Sequence, residues 1–199
     1  MKLHAVLALA AFVELFAIPA QAVTISGQTD GCFGSNCAAT LANTATLGRI
    51  TYTDASFSGN ITNQGNINLG TFQLQTGDFQ SYNSSFTLFL DFTAPVGMTP
   101  DPQSFVASVT GQTTRGNNGQ VIVNFSDTPF NFLYSGGTIS LLLTDLTLFP
   151  NNAVQNLVGQ FTVTQSAAPV PGPLVGAGLP GLAMALGGLL IWRRRRLTA

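Results

Sequence analysis

The chain has 199 residues, of which only 8% are charged, and those charges are unevenly placed. Residues 23–168 contain seven aspartates and two arginines, a net charge of −5, and no histidine, glutamate, lysine or tryptophan. This composition excludes Ser-His-Asp and Cys-His catalysis, histidine-ligated metal sites and Schiff-base lysines. It also lacks the basic surface of a nucleic-acid-binding protein. We therefore expect a protein that is not an enzyme, uses no cofactor and binds no nucleic acid.

The N-terminal segment has the layout of a secretory signal peptide. Lys2 precedes an apolar run over residues 5–18, which a proline ends. Ala20 and Ala22 then form the small-x-small pattern that precedes a cleavage site. The sequence predicts a signal peptide over residues 1–22, cleaved after Ala22. The alternative is a buried N-terminal helix of the domain.

Two cysteines, Cys32 and Cys37, follow shortly after the predicted cleavage site. Because an exported chain folds in an oxidising compartment, we expect them to form a disulfide. The bond closes a short loop, so its effect on stability should be modest. The alternative, a redox or metal-binding pair, lacks a third cysteine or any histidine.

Residues 23–168 alternate short apolar segments with Gly, Asn, Asp, Ser and Pro. In residues 86–92 four apolar side chains recur with a period of two, which is typical of a half-buried strand. Comparable segments predict strands at 49–57, 66–76, 86–92, 104–110, 120–126, 130–134, 138–149 and 158–164. We therefore predict an all-β domain, an antiparallel β-sandwich of about eight strands that is jelly-roll-like or Ig-like. A parallel β-helix is the alternative, but no repeat of fixed period supports it.

Calcium is the metal that this composition still permits. It takes carboxylate and carbonyl oxygens, and Asp30, Asp101 and Asp127 lie near turn residues. No D-x-D-x-D run is present, so turn capping is the expected role of these aspartates, and no metal site is assigned.

A glycan is the second ligand that remains open. Tyr82 lies in the polar segment 80–84 and is the candidate for a ligand-binding loop. Tyr52 and Tyr134 fall on apolar strand faces, where we expect them to pack in the core.

The C-terminal segment has three parts in a fixed order. Residues 169–173 form a Pro-rich motif that can propagate neither a helix nor a strand. Residues 174–192 carry no charge, and as a helix they would span about 28 Å, close to the hydrocarbon thickness of a bilayer. Four arginines follow within residues 193–199, and such clusters stay on the cytoplasmic side. The sequence therefore predicts a transmembrane helix with a basic cytoplasmic tail. A plain single-span anchor is the alternative to a processing signal.

This order of motif, apolar helix and basic cluster resembles the PEP-CTERM sorting signal of exosortase substrates. The motif residues are Val170, Pro171, Gly172 and Pro173, and the basic residues are Arg193, Arg194, Arg195 and Arg196. The usual motif reads Val-Pro-Glu-Pro. With Gly172, the segment is similar to a variant tail that continues Gly-Ala-Gly-Leu-Pro-Gly-Leu, as residues 176–182 do here. The resemblance implies a Gram-negative host with an exopolysaccharide programme, transit through the inner membrane, and cleavage near Pro173 by an exosortase-type enzyme.

The sequence thus indicates a non-catalytic exported protein of the cell envelope or extracellular matrix, associated with exopolysaccharide or biofilm. The expected partners are the processing enzyme, the inner membrane during transit, and exopolysaccharide. The expected final location is the cell surface or the extracellular space. The alternative function is a calcium- or glycan-binding module displayed at the cell surface.

Overall fold

The computed structural model describes residues 21–39, 44–115, 118–166 and 193, and twelve strands lie within them. In spatial order, the first sheet contains β11 (Leu146–Leu148), β8 (Asn118–Asn124), β7 (Gln103–Thr114), β6 (Gln80–Ala94), β1 (Val23–Phe33) and β4 (Ser56–Ile61). The second sheet contains β2 (Thr44–Leu47), β3 (Ile50–Thr53), β5 (Gln64–Leu74), β12 (Val154–Gln165), β10 (Gly137–Leu143) and β9 (Phe130–Tyr134). Every neighbouring pair is antiparallel. The predicted all-β class is confirmed, and the two sheets are compatible with a β-sandwich.

The predicted number of about eight strands is wrong, because two predicted strands divide and two others were missed. Residues 49–57 contain β3 and part of β4, which belong to different sheets. The chain turns at Ala55, whose backbone N–H donates to the Thr29 hydroxyl at 2.8 Å. The Ala55 carbonyl accepts from the Thr29 N–H at 3.0 Å. Residues 138–149 likewise contain β10 of the second sheet and β11 of the first.

The alternating pattern that predicted the strands also determines which face of each strand is buried. In β6, Phe86, Leu88 and Leu90 are fully buried, and the side chains between them are more exposed. Because successive strand residues point to opposite faces, one register buries all three side chains together. Each contributes about 1.5–3 kcal/mol through the apolar surface that it removes from water.

An aromatic cluster joins the two sheets. Tyr52 of β3 and Phe72 of β5 meet Phe86 of β6, with ring centroids 4.9–5.0 Å apart. Tyr52 is completely buried, as predicted, and its hydroxyl donates to the Leu69 carbonyl at 2.6 Å. A Cβ atom at Gly31 of β1 would collide with the Tyr52 ring, so the residue facing this ring must be glycine.

Most of the predicted targeting features lie outside the described residues. These are the signal peptide up to Ala20, the motif within residues 169–173 and the predicted transmembrane helix over 174–192. Arg193 is helical and exposed. None of the described residues belongs to a helix with the length and hydropathy needed to span a bilayer.

Candidate binding cleft

The predicted disulfide between Cys32 and Cys37 is present, with Cα atoms 5.6 Å apart. It lies at the end of β1, where Phe33 packs its ring 5.0 Å from that of Phe86. The Gly34 N–H donates to the Ser85 carbonyl at 2.9 Å, and the Ser85 hydroxyl donates to the Gly34 carbonyl at 3.1 Å. The disulfide loop is therefore attached to β6.

Tyr82 does not lie in a ligand-binding loop, so this prediction is wrong. The segment 80–84 begins β6, and the Tyr82 side chain points inward with 4% of its surface exposed. Its hydroxyl donates to Oε1 of Gln80 at 3.0 Å, and burial raises the pKa of the phenol above its ordinary value. The polar neighbours that suggested a loop, Ser81 and Asn83, occupy the exposed face of the strand. Tyr134 is only partly buried and packs against the core.

The aspartates considered for calcium lie apart from one another. Asp101 accepts a hydrogen bond from the Phe92 N–H at 3.0 Å, Asp30 is buried in β1, and Asp127 is exposed in the segment after β8. Across the described ranges, no three His, Cys, Asp or Glu side chains are grouped so that they could share a metal ion. The Asp101 contact ties the loop between β6 and β7 to the end of β6, which is the turn-capping role expected for aspartate.

One pair of carboxylates does interact. Asp54 lies at the corner between β3 and β4, close enough to Asp30 for the two charges to repel. Burial and this repulsion raise the pKa of the Asp54 carboxyl to about 6, partly offset by a hydrogen bond from the Gly31 backbone. The nearby Tyr52 phenol also has a raised pKa, mainly because it is buried.

The two arginines of the domain both lie near Asp78, beside the end of β7 that includes Thr113. Arg115 Nε is 3.3 Å from Asp78 Oδ1, and both side chains are more than four fifths exposed. Arg49 donates to the Asp78 carbonyl, and so does the Thr113 hydroxyl. An ion pair this exposed adds little stability, so these contacts mainly position cationic charge at this end of β7.

The opposite end of β7 has a free edge. Strand β8 pairs with residues 108–114 of β7, and no other described strand pairs with residues 103–107 on that side. The ladder ends because Asp145 Oδ1 accepts the Phe125 N–H at 2.8 Å, while its Oδ2 accepts from Asn124 Nδ2 at 3.0 Å. The chain then crosses to β9 in the second sheet. We call residues 125–129 the crossover.

A cleft of about 280 Å³ lies between this free edge and the crossover. Ser104, Phe105 and Val106 form one wall, and Leu141 and Leu143 of β10 line the cleft as well. The residues that line the other wall are Phe125, Ser126, Thr128, Pro129 and Phe130. None of the lining residues is charged. The cleft can therefore accept an apolar group through dispersion and burial, but it offers no ion pair within its walls.

Two half-buried phenylalanines determine the shape of the cleft. Phe105 and Phe130 have ring centroids 5.5 Å apart in an edge-to-face arrangement, and Phe130 continues to Phe132 at 5.0 Å. The alternating patterns predicted both as strand residues, but those patterns do not show where β8 stops pairing. The Ser-Asp-Thr-Pro sequence at 126–129, a turn signal directly after a strand, was the available indication of a crossover.

Comparison with known proteins identified no relative: no protein-family model, no curated protein and no solved structure matches the chain.

Proposed function

We propose that this chain is a non-catalytic, exported protein of the cell envelope or extracellular matrix, sorted through a PEP-CTERM-like signal and associated with exopolysaccharide or biofilm. An exosortase-type enzyme releases it from the inner membrane, and its final location is the cell surface or the extracellular space. The proposed partners are that enzyme, the inner membrane during transit, and exopolysaccharide.

The observation that carries this proposal is the order of three elements at the C-terminus. The motif at residues 170–173 precedes an uncharged segment, and four consecutive arginines follow that segment. Each element alone is common, but their order matches a sorting signal that is recognised, cut and oriented by charge.

Two features of the described domain support the proposal. The Cys32–Cys37 disulfide is typical of proteins that fold in an oxidising compartment. Asp101 and Asp145 accept backbone hydrogen bonds, and these structural roles agree with the proposal that the domain is non-catalytic. The two six-stranded sheets and their shared core support the finer assignment to a jelly-roll-like or Ig-like sandwich.

The test is to determine the C-terminus of the exported protein by mass spectrometry, in hosts with and without an exosortase. We expect surface material from the first host to end near Pro173 and to lack the four arginines. Without the enzyme, the full chain should stay in the inner-membrane fraction. Surface material that retains Arg193–Arg196 would contradict processing and indicate a plain anchor.

A matched pair of proline variants separates recognition of the motif from a general effect of proline loss. Replacing both Pro171 and Pro173 by alanine should leave the chain unprocessed and membrane-bound. Pro169→Ala, which changes a neighbouring proline outside the four-residue motif, should be processed normally. Equal processing of both variants would show that these prolines are not recognised.

A further inference from the structure

We propose that the cleft beside β7 is a docking site for an extended segment of a second, different polypeptide. That segment adds a strand to residues 103–107, inserts one bulky apolar side chain into the cleft, and carries basic residues beside its apolar centre. The inference goes beyond the sorting function and does not depend on the C-terminal signal.

The first argument is the edge itself. Natural proteins usually protect unpaired strand edges with charged residues, proline, bulges or a covering segment. Residues 103–107 read Gln-Ser-Phe-Val-Ala, without charge or proline, and Val106 is 63% exposed. Five residues present an edge of about 16 Å. The Ser104 carbonyl accepts an exposed hydrogen bond from the side-chain amide of Gln103 at 2.9 Å, a contact that an incoming strand can replace.

The second argument is the size of the cleft. A dry cavity of about 150 Å³ holds a benzene ring, and this cleft measures about 280 Å³. The cleft therefore has room for one large side chain of the docked segment, but it is too small to hold a whole strand. Strand addition characteristically combines main-chain hydrogen bonds with pockets for alternate side chains. The free edge would supply the hydrogen bonds, and the ring faces of Phe105 and Phe130 would supply the pocket.

The third argument is the charge around the cleft. Asp101 lies two residues before β7, and Asp127 lies in the crossover; both are exposed. The positive charges are far from the cleft. The arginines near Asp78 lie beside Thr113, which is nine residues along β7 from Ser104, or about 30 Å in an extended strand. The field at the cleft is therefore negative. Basic residues flanking the docked segment are attracted, whereas a second copy brings the same aspartates and is repelled.

The test uses the full chain in detergent micelles and fluorescently labelled seven-residue peptides. The first peptide is Lys-Val-Thr-Phe-Thr-Val-Lys. One control peptide has glutamate in place of both lysines, and a second has alanine in place of the central phenylalanine. Two further control peptides carry N-methyl groups on alternate backbone nitrogens, each in one of the two possible registers. We expect saturable binding of the first peptide and at least fivefold weaker binding of the acidic and alanine peptides. One of the two methylated registers should also bind at least fivefold more weakly, because it lacks the donors that face β7.

Two aspartate variants locate the site. Asp127→Asn should weaken binding of the basic peptide several-fold, whereas Asp78→Asn removes the same charge at the other end of β7 and should leave binding unchanged. Hydrogen exchange followed by mass spectrometry should show that the bound peptide protects residues 103–107.

Four outcomes would overturn the proposal. The first is an absence of saturable binding by the basic peptide up to millimolar concentration, and the second is protection confined to another strand edge. The third is binding that is indifferent to both methylated registers but is competed by benzene, which would identify a pocket for small molecules. The fourth is concentration-dependent self-association that protects residues 103–107 without peptide, which would identify a second copy as the occupant.

Discussion

Replacing Asp54 by asparagine should stabilise the β-domain, and the gain should depend on pH. Asp54 lies beside Asp30 and Tyr52, and the pKa of its carboxyl is raised to about 6 by burial and by Asp30. A raised carboxyl pKa means that ionisation is less favourable in the folded protein than in the unfolded chain. The stability of the native protein should therefore be highest with Asp54 protonated, fall as pH rises from about 4 to about 6, and stay lower above that range.

The size of the effect follows from the pKa shift. A change from the ordinary value of 3.8 to about 6 corresponds to about 3 kcal/mol at most. Because the Asp54 side chain is partly exposed, solvent screening reduces the expected penalty to about 1 kcal/mol. Asp54→Asn should thus raise the free energy of unfolding by about 1 kcal/mol at pH 7.5, equivalent to about 2–4 °C in Tm, with little change at pH 4.

The assay is urea unfolding of the full chain in detergent micelles, followed by tyrosine fluorescence at both pH values. All three tyrosines lie in the β-domain, and the single tryptophan, Trp192, lies outside it. Asp127→Asn, which removes an exposed carboxylate, is the control and should change stability by less than about 0.5 kcal/mol. An equal gain for Asp54→Asn at pH 4 and pH 7.5, or no gain at pH 7.5, would refute the electrostatic explanation.

Three further predictions can be checked by the same unfolding measurement. Tyr82→Ala should lower the free energy of unfolding by about 3–5 kcal/mol, because it empties a core position. Tyr82→Phe should lower it by about 1 kcal/mol for the lost hydrogen bond. Equal effects of the two substitutions would argue against burial of the ring. Asp145→Ala should cost about 2 kcal/mol, because two donors lose their acceptor, while Asp127→Ala should have almost no effect; a similar cost for both would show that the crossover does not depend on Asp145. Replacing Cys32 and Cys37 by serine should cost about 2 kcal/mol through the lost loop constraint, and reduction of the native protein should have the same effect; an unchanged stability would show that the bond is not formed in solution.

The fold class was predictable because the buried strands carry their own signal. In residues 86–92 of β6 and in β9 every second residue is apolar, so the existence of these strands and their inward faces could both be derived from the sequence. Strand β1 has no such signal, since glycines and polar residues interrupt it. Gly31 is required by the Tyr52 ring of another strand, and that contact is visible only after the chain has folded.

The candidate site was not predictable for a related reason. Tyr82 was assigned to a loop because its neighbours are polar, and polar neighbours are also what the exposed face of a strand contains. The cleft depends on the position at which β8 leaves β7. Asp145, twenty residues beyond Phe125, accepts hydrogen bonds from Phe125 and Asn124 at that position. Local pattern therefore identified the strands, but pairing over long sequence distances produced the surface between them.

The position of β12 has a consequence for the time at which the domain can fold. Strand β12 is the last in the chain, yet it lies between β5 and β10 in the middle of the second sheet. In a chain that emerges from its N-terminus, β2, β3 and β5 cannot join the rest of the second sheet until residues 154–165 have emerged. Until then β9 and β10 form only a separate hairpin. Pairing β5 with β12 requires closure of the long loop between Leu74 and Val154, so this step is slow compared with hairpin formation. The second sheet therefore stays divided into two unjoined parts until nearly all of the β-domain is available, whereas every strand of the first sheet is present once Leu148 has emerged.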